Sequence, residues 1–192
     1  MVTPLRLMAV LAHPDDESLG MGGTLARYAA EGVETYLVTG TLGQSGRFHG
    51  LPPGEPGHPG AEELGRIRER ELRAAANVLG IREVTLLGYH DQFLDRADPR
   101  QAIGRIAAEL RRVRPQVVAT FGADGAYGHP DHVAISQFTS AAVVAAADPS
   151  WPGVPGGENS APHAITKSYV MAWPAAAMSA YQEAFRKLTS RV

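Results

Sequence analysis

The chain has 192 residues, 20 acidic against 18 basic side chains, a net charge of −2, seven histidines and no cysteine. That composition excludes disulfides, thiolate metal sites and cysteine nucleophiles, and it argues against the basic stripe of a nucleic-acid binder. The length suits a single domain, taken as residues 1–192, with a core large enough to need no covalent staple.

Leu5–Ala12 reads as a buried strand that runs straight into charge, which speaks against a signal peptide. No apolar run reaches the roughly 18 residues of a membrane span, so the cytoplasm is the expected compartment. Ser18–Glu31 follows as a helix closed by Gly32, and Glu34–Thr39 as a second strand. Residues 40–60 are so rich in Gly and Pro that they must be loop, and a loop that long tends to be functional. Glu62–Leu79 is a charged helix with an apolar stripe of Leu64, Ile67, Leu72, Ala75 and Leu79, ended by Gly80. Strand, helix and strand recur at Glu83–Leu87, Pro99–Val113 and Gln116–Phe121. Asp131–Ala147 is a helix, Pro149–Pro162 a second loop, Lys167–Trp173 a strand and Pro174–Leu188 a closing helix. Strands alternating with helices predict an α/β fold, a Rossmann-like three-layer domain with a mostly parallel sheet.

His-Pro-Asp occurs twice, at His13-Pro14-Asp15-Asp16 and at His129-Pro130-Asp131-His132. Each copy follows a predicted strand and leads into a helix, so a parallel sheet would bring both to its carboxyl edge, where such folds hold their ligands. Three His and three Asp then converge, a nitrogen and oxygen donor set suited to catalytic zinc or a related divalent ion such as Fe²⁺. The plainer reading, that Asp16 and Asp131 only cap helices, accounts for one copy better than for two in matching places. Gly20, Gly22 and Gly23 do not complete a dinucleotide fingerprint, because Leu25 stands where the third glycine is needed. They read as close-packing or helix-start residues.

With AHPDDE at residues 12–17 and GHPDH at 128–132, the chain resembles the PIG-L and LmbE-like zinc-dependent N-acetylglucosaminyl deacetylases. IRERELRAAANVLG at 67–80 and GYHD at 88–91 extend the likeness, which covers about residues 5–140. The resemblance implies His13, Asp16 and His132 as metal ligands, with Asp15 as the general base for attack of metal-bound water on an amide. It implies His129 facing the developing oxyanion, in cationic form, or assisting proton transfer, and Asp131 fixing the tautomer of His129. Arg68, Asp91, Tyr127 and Gln44 are the implied substrate-side residues. The first three have a plainer role available: ion pairing on the helix for Arg68, a turn cap for Asp91, a loop aromatic for Tyr127. Relatives with a Thr-Leu-Gly-Glu loop carry a carboxylate where this chain has Gln44, which can hydrogen-bond a hydroxyl but supplies no charge.

The resemblance therefore implies removal of an acetyl group from a small amino-sugar substrate or conjugate, with no nucleic acid or membrane partner and room for a homo-oligomer. Three alternatives stand beside it: an amidase for a larger amide such as a thiol conjugate, a non-catalytic metal- or sugar-binding relative, and a dinucleotide-dependent oxidoreductase.

Overall fold

Five strands, β1 (Arg6–Leu11), β2 (Glu34–Thr41), β3 (Ile81–Tyr89), β4 (Val117–Phe121) and β5 (Lys167–Met171), form one sheet in the order β3-β2-β1-β4-β5. Every pairing is parallel. The computed structural model describes residues 4–152 and 161–189. Because β1 is central and covered on both faces, Leu7–Leu11 is continuously buried instead of alternating.

The segment expected as one helix over Ser18–Glu31 is two, α1 (Asp16–Leu19) and α2 (Gly22–Ala30). Gly20 marks the break: a Cβ there would lie 2.7 Å from Met171 Sδ, so the end of β5 packs against bare backbone. α3 (Ala61–Leu79) buries Leu64, Leu72 and Ala76 and stops at Gly80, whose φ of 72° turns the chain directly into β3. β2 and β3 both run further than their sequence patterns suggest, to Thr41 and Tyr89, which carries the start of each following loop up to the carboxyl edge. A short 3₁₀ turn, Leu94–Arg96, precedes α4 (Pro99–Val113), whose N-cap Asp98 accepts the Gln101 N–H at 3.0 Å.

After β4 come a tight turn, α5 (Gly125–Gly128), and α6 (Pro130–Ala147). α4 packs on α6, and α2 on α3. Right-handed crossovers put the two pairs on opposite faces of the sheet. Arg111 on α4 donates to the carbonyls of Ala145, Ala146 and Asp148, closing the end of α6. β5 lies at the edge with most of its residues exposed, and α7 (Ala175–Thr189) follows it. Of the Pro149–Pro162 loop expected from sequence, residues 153–160 lie outside the described residues. Among the described residues no helix is long and apolar enough to cross a membrane.

β1 is followed by a connection to β2 on one side, and its other neighbour β4 leads away to β5, so the chain diverges in opposite directions above β1 and β4. That divergence opens a crevice at the carboxyl edge, and both His-Pro-Asp turns stand in it.

Candidate active site

His13 is delivered by the end of β1 and His132 by the first turn of α6, 119 residues apart, yet His13 Nδ1 and His132 Nε2 lie 3.1 Å from each other. Asp16 joins them from α1, with Oδ1 3.4 Å from His132 Nε2 and Oδ2 3.7 Å from His13 Nδ1. All three are nearly enclosed. Ligands bonded tetrahedrally to zinc at their usual lengths are separated by about 3.3 Å, and these spacings bracket that value.

The hydrogen bonds behind each of these side chains decide which lone pairs face the centre. His132 Nδ1 sits 3.2 Å from the Gly125 carbonyl, an acceptor, so that nitrogen carries the proton and Nε2 presents a lone pair. Gly125 must be glycine to place this carbonyl: its φ is 61°, and a Cβ would meet Val133 Cγ2 at 2.8 Å. The His132 ring also stacks on Phe121, 3.9 Å away and inclined by 11°. On the other side, His13 Nε2 is 3.1 Å from both Asp91 Oδ1 and Asp131 Oδ2. Carboxylates require an N–H there, which leaves the His13 Nδ1 lone pair facing inward when the ring is neutral. Asp16 Oδ2 accepts the N–H groups of His13 at 2.8 Å and Ala12 at 3.2 Å, which fix its carboxylate.

Three lone-pair donors thus converge with no proton between them, an arrangement stable only around a cation. Without a metal, a proton on His13 serves. Burial opposes that charge, but bonds to Asp131 and Asp91 and the field of Asp16 outweigh it and push His13 up to about 9. Burial pushes Asp16 up to about 7 against the pull of His13. Burial and the neighbouring charge of His13 take His132 down to about 3. Two other donor groups lie together, His13 with His129 and His132, and His13 with Asp91 and Asp131. The second is better described as one N–H shared by two carboxylates.

Asp15 faces the opposite way from Asp16. Its side chain is 48% exposed and its carboxylate takes a 2.6 Å bond from Arg68 Nη2, which also donates to the Pro14 carbonyl at 2.7 Å. Arg68 therefore reaches the site across 53 residues and is not spent on the ion pairs of its own helix, the plainer role open to it in the sequence. His129 stands at the opening, its ring 4.8 Å from those of His13 and His132. Tyr127 is 53% exposed, with its ring 6.0 Å from His129 and 5.2 Å from His132.

Two expectations need correction. Asp131 does not set the His129 tautomer through its carboxylate, which is fully buried and bonded to His13 Nε2 and the N–H groups of Gln92 (2.7 Å) and Leu94 (3.1 Å). Its main-chain N–H does so instead, donating to His129 Nδ1 at 3.2 Å and leaving the ring proton on Nε2. Asp91 is turned inward too, 5% exposed, accepting the Ser45 N–H at 2.9 Å and so tying the 40–60 loop to the site. Burial opposes ionisation of both carboxylates, and the bonds from His13 and from main-chain N–H groups hold them below the usual range nonetheless. Burial and then the charge of His13 lower His129. Gln44 is half-buried in the loop, with its side-chain carbonyl accepting the Leu42 N–H at 3.1 Å.

Sequence reasoning missed the Gly125 carbonyl, which no side chain signals, and Glu17, which stands in the AHPDDE run without a role of its own.

A family profile described as PIG-L, GlcNAc-PI de-N-acetylase, matches residues 8–143. A 1D-myo-inositol 2-acetamido-2-deoxy-alpha-D-glucopyranoside deacetylase of Actinosynnema mirum is 42% identical over 163 residues, 76% of this chain and 57% of its own length. The chain thus spans a little over half the length of the curated relatives it matches. Among solved structures, the N,N'-diacetylchitobiose deacetylase of Pyrococcus horikoshii aligns with a TM-score of 0.67 and 27% identity over 76% of this chain and 52% of its own. GalB, the 4-carboxy-2-hydroxymuconate hydratase of Pseudomonas putida KT2440, aligns with a TM-score of 0.69 and 26% identity over 82% and 63%.

Proposed function

This chain belongs to the PIG-L family, and from that membership and its donor set we propose that it is a metal-dependent hydrolase removing the acetyl group from an acetamido sugar or sugar conjugate. His13, Asp16 and His132 would hold the metal, and the nitrogen and oxygen donors favour zinc, with Fe²⁺ the alternative. A divalent cation held there would lower the pKa of a bound water towards neutrality and polarise a carbonyl.

The rest falls to the side chains. Asp15, at the rim with its carboxylate exposed, takes a proton from the attacking water and returns it to the departing nitrogen. One C–N bond breaks, one C–O bond forms, and the products are acetate and a primary amine. His129, with its proton on Nε2, donates a hydrogen bond where negative charge gathers on the amide oxygen. Asp91 and Asp131 keep His13 oriented and electron-rich. Arg68 and Tyr127 line the approach for a polyhydroxylated substrate. The three convergent lone pairs of His13, Asp16 and His132 are the observation that carries this reading.

The likeness to a hydratase cautions that the fold does not choose the reaction, whereas the curated relatives near 40% identity are deacetylases. Zinc-loaded protein should release acetate and primary amine in equal amounts from 2-acetamido-2-deoxyglucosides, the inositol glycoside among them. No amine from any of them, with hydration of 4-carboxy-2-hydroxymuconate instead, would overturn the reading.

A further inference from the structure

Asp15 has φ 104° and ψ −28°, a conformation an L residue rarely adopts. The neighbouring side chains explain the need. Asp16 points inward to His132 while Asp15 points out to the rim, and the turn at Asp15 separates the two directions. The chain reverses at Asp15, and α1 starts only at Asp16.

As the residue before the first turn, Asp15 has no helical acceptor for its N–H, and Glu17 takes it. Glu17 Oε2 accepts that N–H at 3.0 Å, and Oε1 accepts the Ser18 hydroxyl at 2.6 Å. The Glu17 side chain is 2% exposed, so a buried carboxylate has been spent on one main-chain N–H and one adjacent hydroxyl. Such burial is costly and tolerated where the bonds made are needed. Arg68 grips the same unit from the other side, on the Pro14 carbonyl and the Asp15 carboxylate. The Pro14–Asp15 unit is thus clamped by a buried acid on one flank and a base on the other.

We infer that Glu17 is a positioning residue for Asp15: its carboxylate holds the Asp15 N–H, and with it the left-handed turn that aims the Asp15 carboxylate at the opening of the site. The inference rests on Asp15 acting as the base, as proposed above. Glu17 itself touches no reacting atom. A misplacement of about 1 Å in a catalytic group costs up to about 100-fold in rate, which sets the size of the effect.

Glu17→Met is the test, being close in volume and suited to a buried place, with Glu17→Gln as the conservative variant that retains a carbonyl acceptor. Glu17→Met should fold and bind one zinc per chain like the parent, keep KM within about twofold, and lose kcat by about 30-fold. Glu17→Gln should stay within about threefold of the parent in kcat. A crystal structure of metal-free Glu17→Met should show Asp15 out of the positive-φ region or its carboxylate away from Arg68. An unchanged Asp15 in that structure, a kcat within about twofold of the parent, or Glu17→Gln as impaired as Glu17→Met would overturn the inference. If the parent releases no amine from any acetamido sugar, the deacetylase reading fails, while the Asp15 conformation still tests the positioning.

Discussion

The two His-Pro-Asp turns have the same three residues, follow adjacent strands of the same sheet, and use their side chains in opposite ways. In the second, Pro130 is the first residue of α6, His129 is its N-cap, and Asp131 falls in the first turn facing the core, fully buried. In the first, Pro14 and Asp15 stand outside the helix, which begins two residues later relative to the proline, at Asp16. The result is an exchange of roles. His13 is inward and His129 at the opening; Asp15 is exposed and Asp131 buried; the inward side chain at the fourth position is Asp16 in one copy and His132 in the other. Identity of a motif sets which chemical groups arrive at a site, and the register of the helix that follows sets which of them face it.

The largest test of this contrast makes one change in both copies. Asp15→Asn removes the base and leaves the ligand cage intact, so kcat should fall about 1,000-fold with zinc content unchanged. Asp131→Asn leaves the base in place but exchanges a carboxylate behind His13 for an amide, so zinc affinity should weaken by about 10- to 100-fold while kcat at saturating zinc is largely kept. Stopped-time amine release and zinc titration by a competing chelator measure the two. Equal signatures from the two variants would mean that the copies are functionally alike.

The histidines sharpen the contrast next. His13→Ala takes away a ligand and should abolish tight zinc binding. His129→Ala should keep the metal and lose about 100-fold in kcat, because a single donor to a developing oxyanion is worth that much. Full zinc occupancy in His13→Ala would remove His13 from the ligand set.

How much of this was legible beforehand follows the same division. The apolar runs at Leu7–Leu11 and Val117–Phe121 announce buried parallel strands, and a His-Pro-Asp after each announces a shared site at their carboxyl ends. His13, Asp16 and His132, implied by the resemblance as ligands, lie together, and Arg68, implied on the substrate side, is bonded to Asp15. Asp131 and Asp91 were legible as site residues but not in their partners, because a shift of one residue in helix register turns a side chain by about 100°, and neither periodicity nor spacing reports it. Both were read towards His129 or the substrate, and both bond His13. The break between α1 and α2 was hidden for a related reason: Gly20 is glycine because of Met171, a residue 151 positions away.

The smallest prediction isolates backbone conformation from chemistry. At Asp15, with φ 104°, any Cβ is strained, whereas Asp131 lies in the first turn of a helix. Replacing Asp15 with glycine relieves about 1–2 kcal/mol of left-handed strain. It also adds about 0.5–1 kcal/mol of unfolded-state entropy, and the loss of a half-exposed ion pair with Arg68 costs no more than about 1 kcal/mol. Asp15→Gly should therefore remain within about 1 kcal/mol of the parent. Asp15→Ala keeps the strain and loses the same ion pair, so it should be less stable than Asp15→Gly by a margin near 1 kcal/mol. At Asp131 the order reverses: glycine in a helical turn is poorer than alanine by about 0.5–1 kcal/mol, on top of a larger loss common to both from two orphaned main-chain N–H groups. Urea unfolding of the four metal-free variants measures this directly. Alanine above glycine at both positions would mean that Asp15 does not hold the left-handed turn in solution, and the two copies would then differ less in backbone than the structure shows.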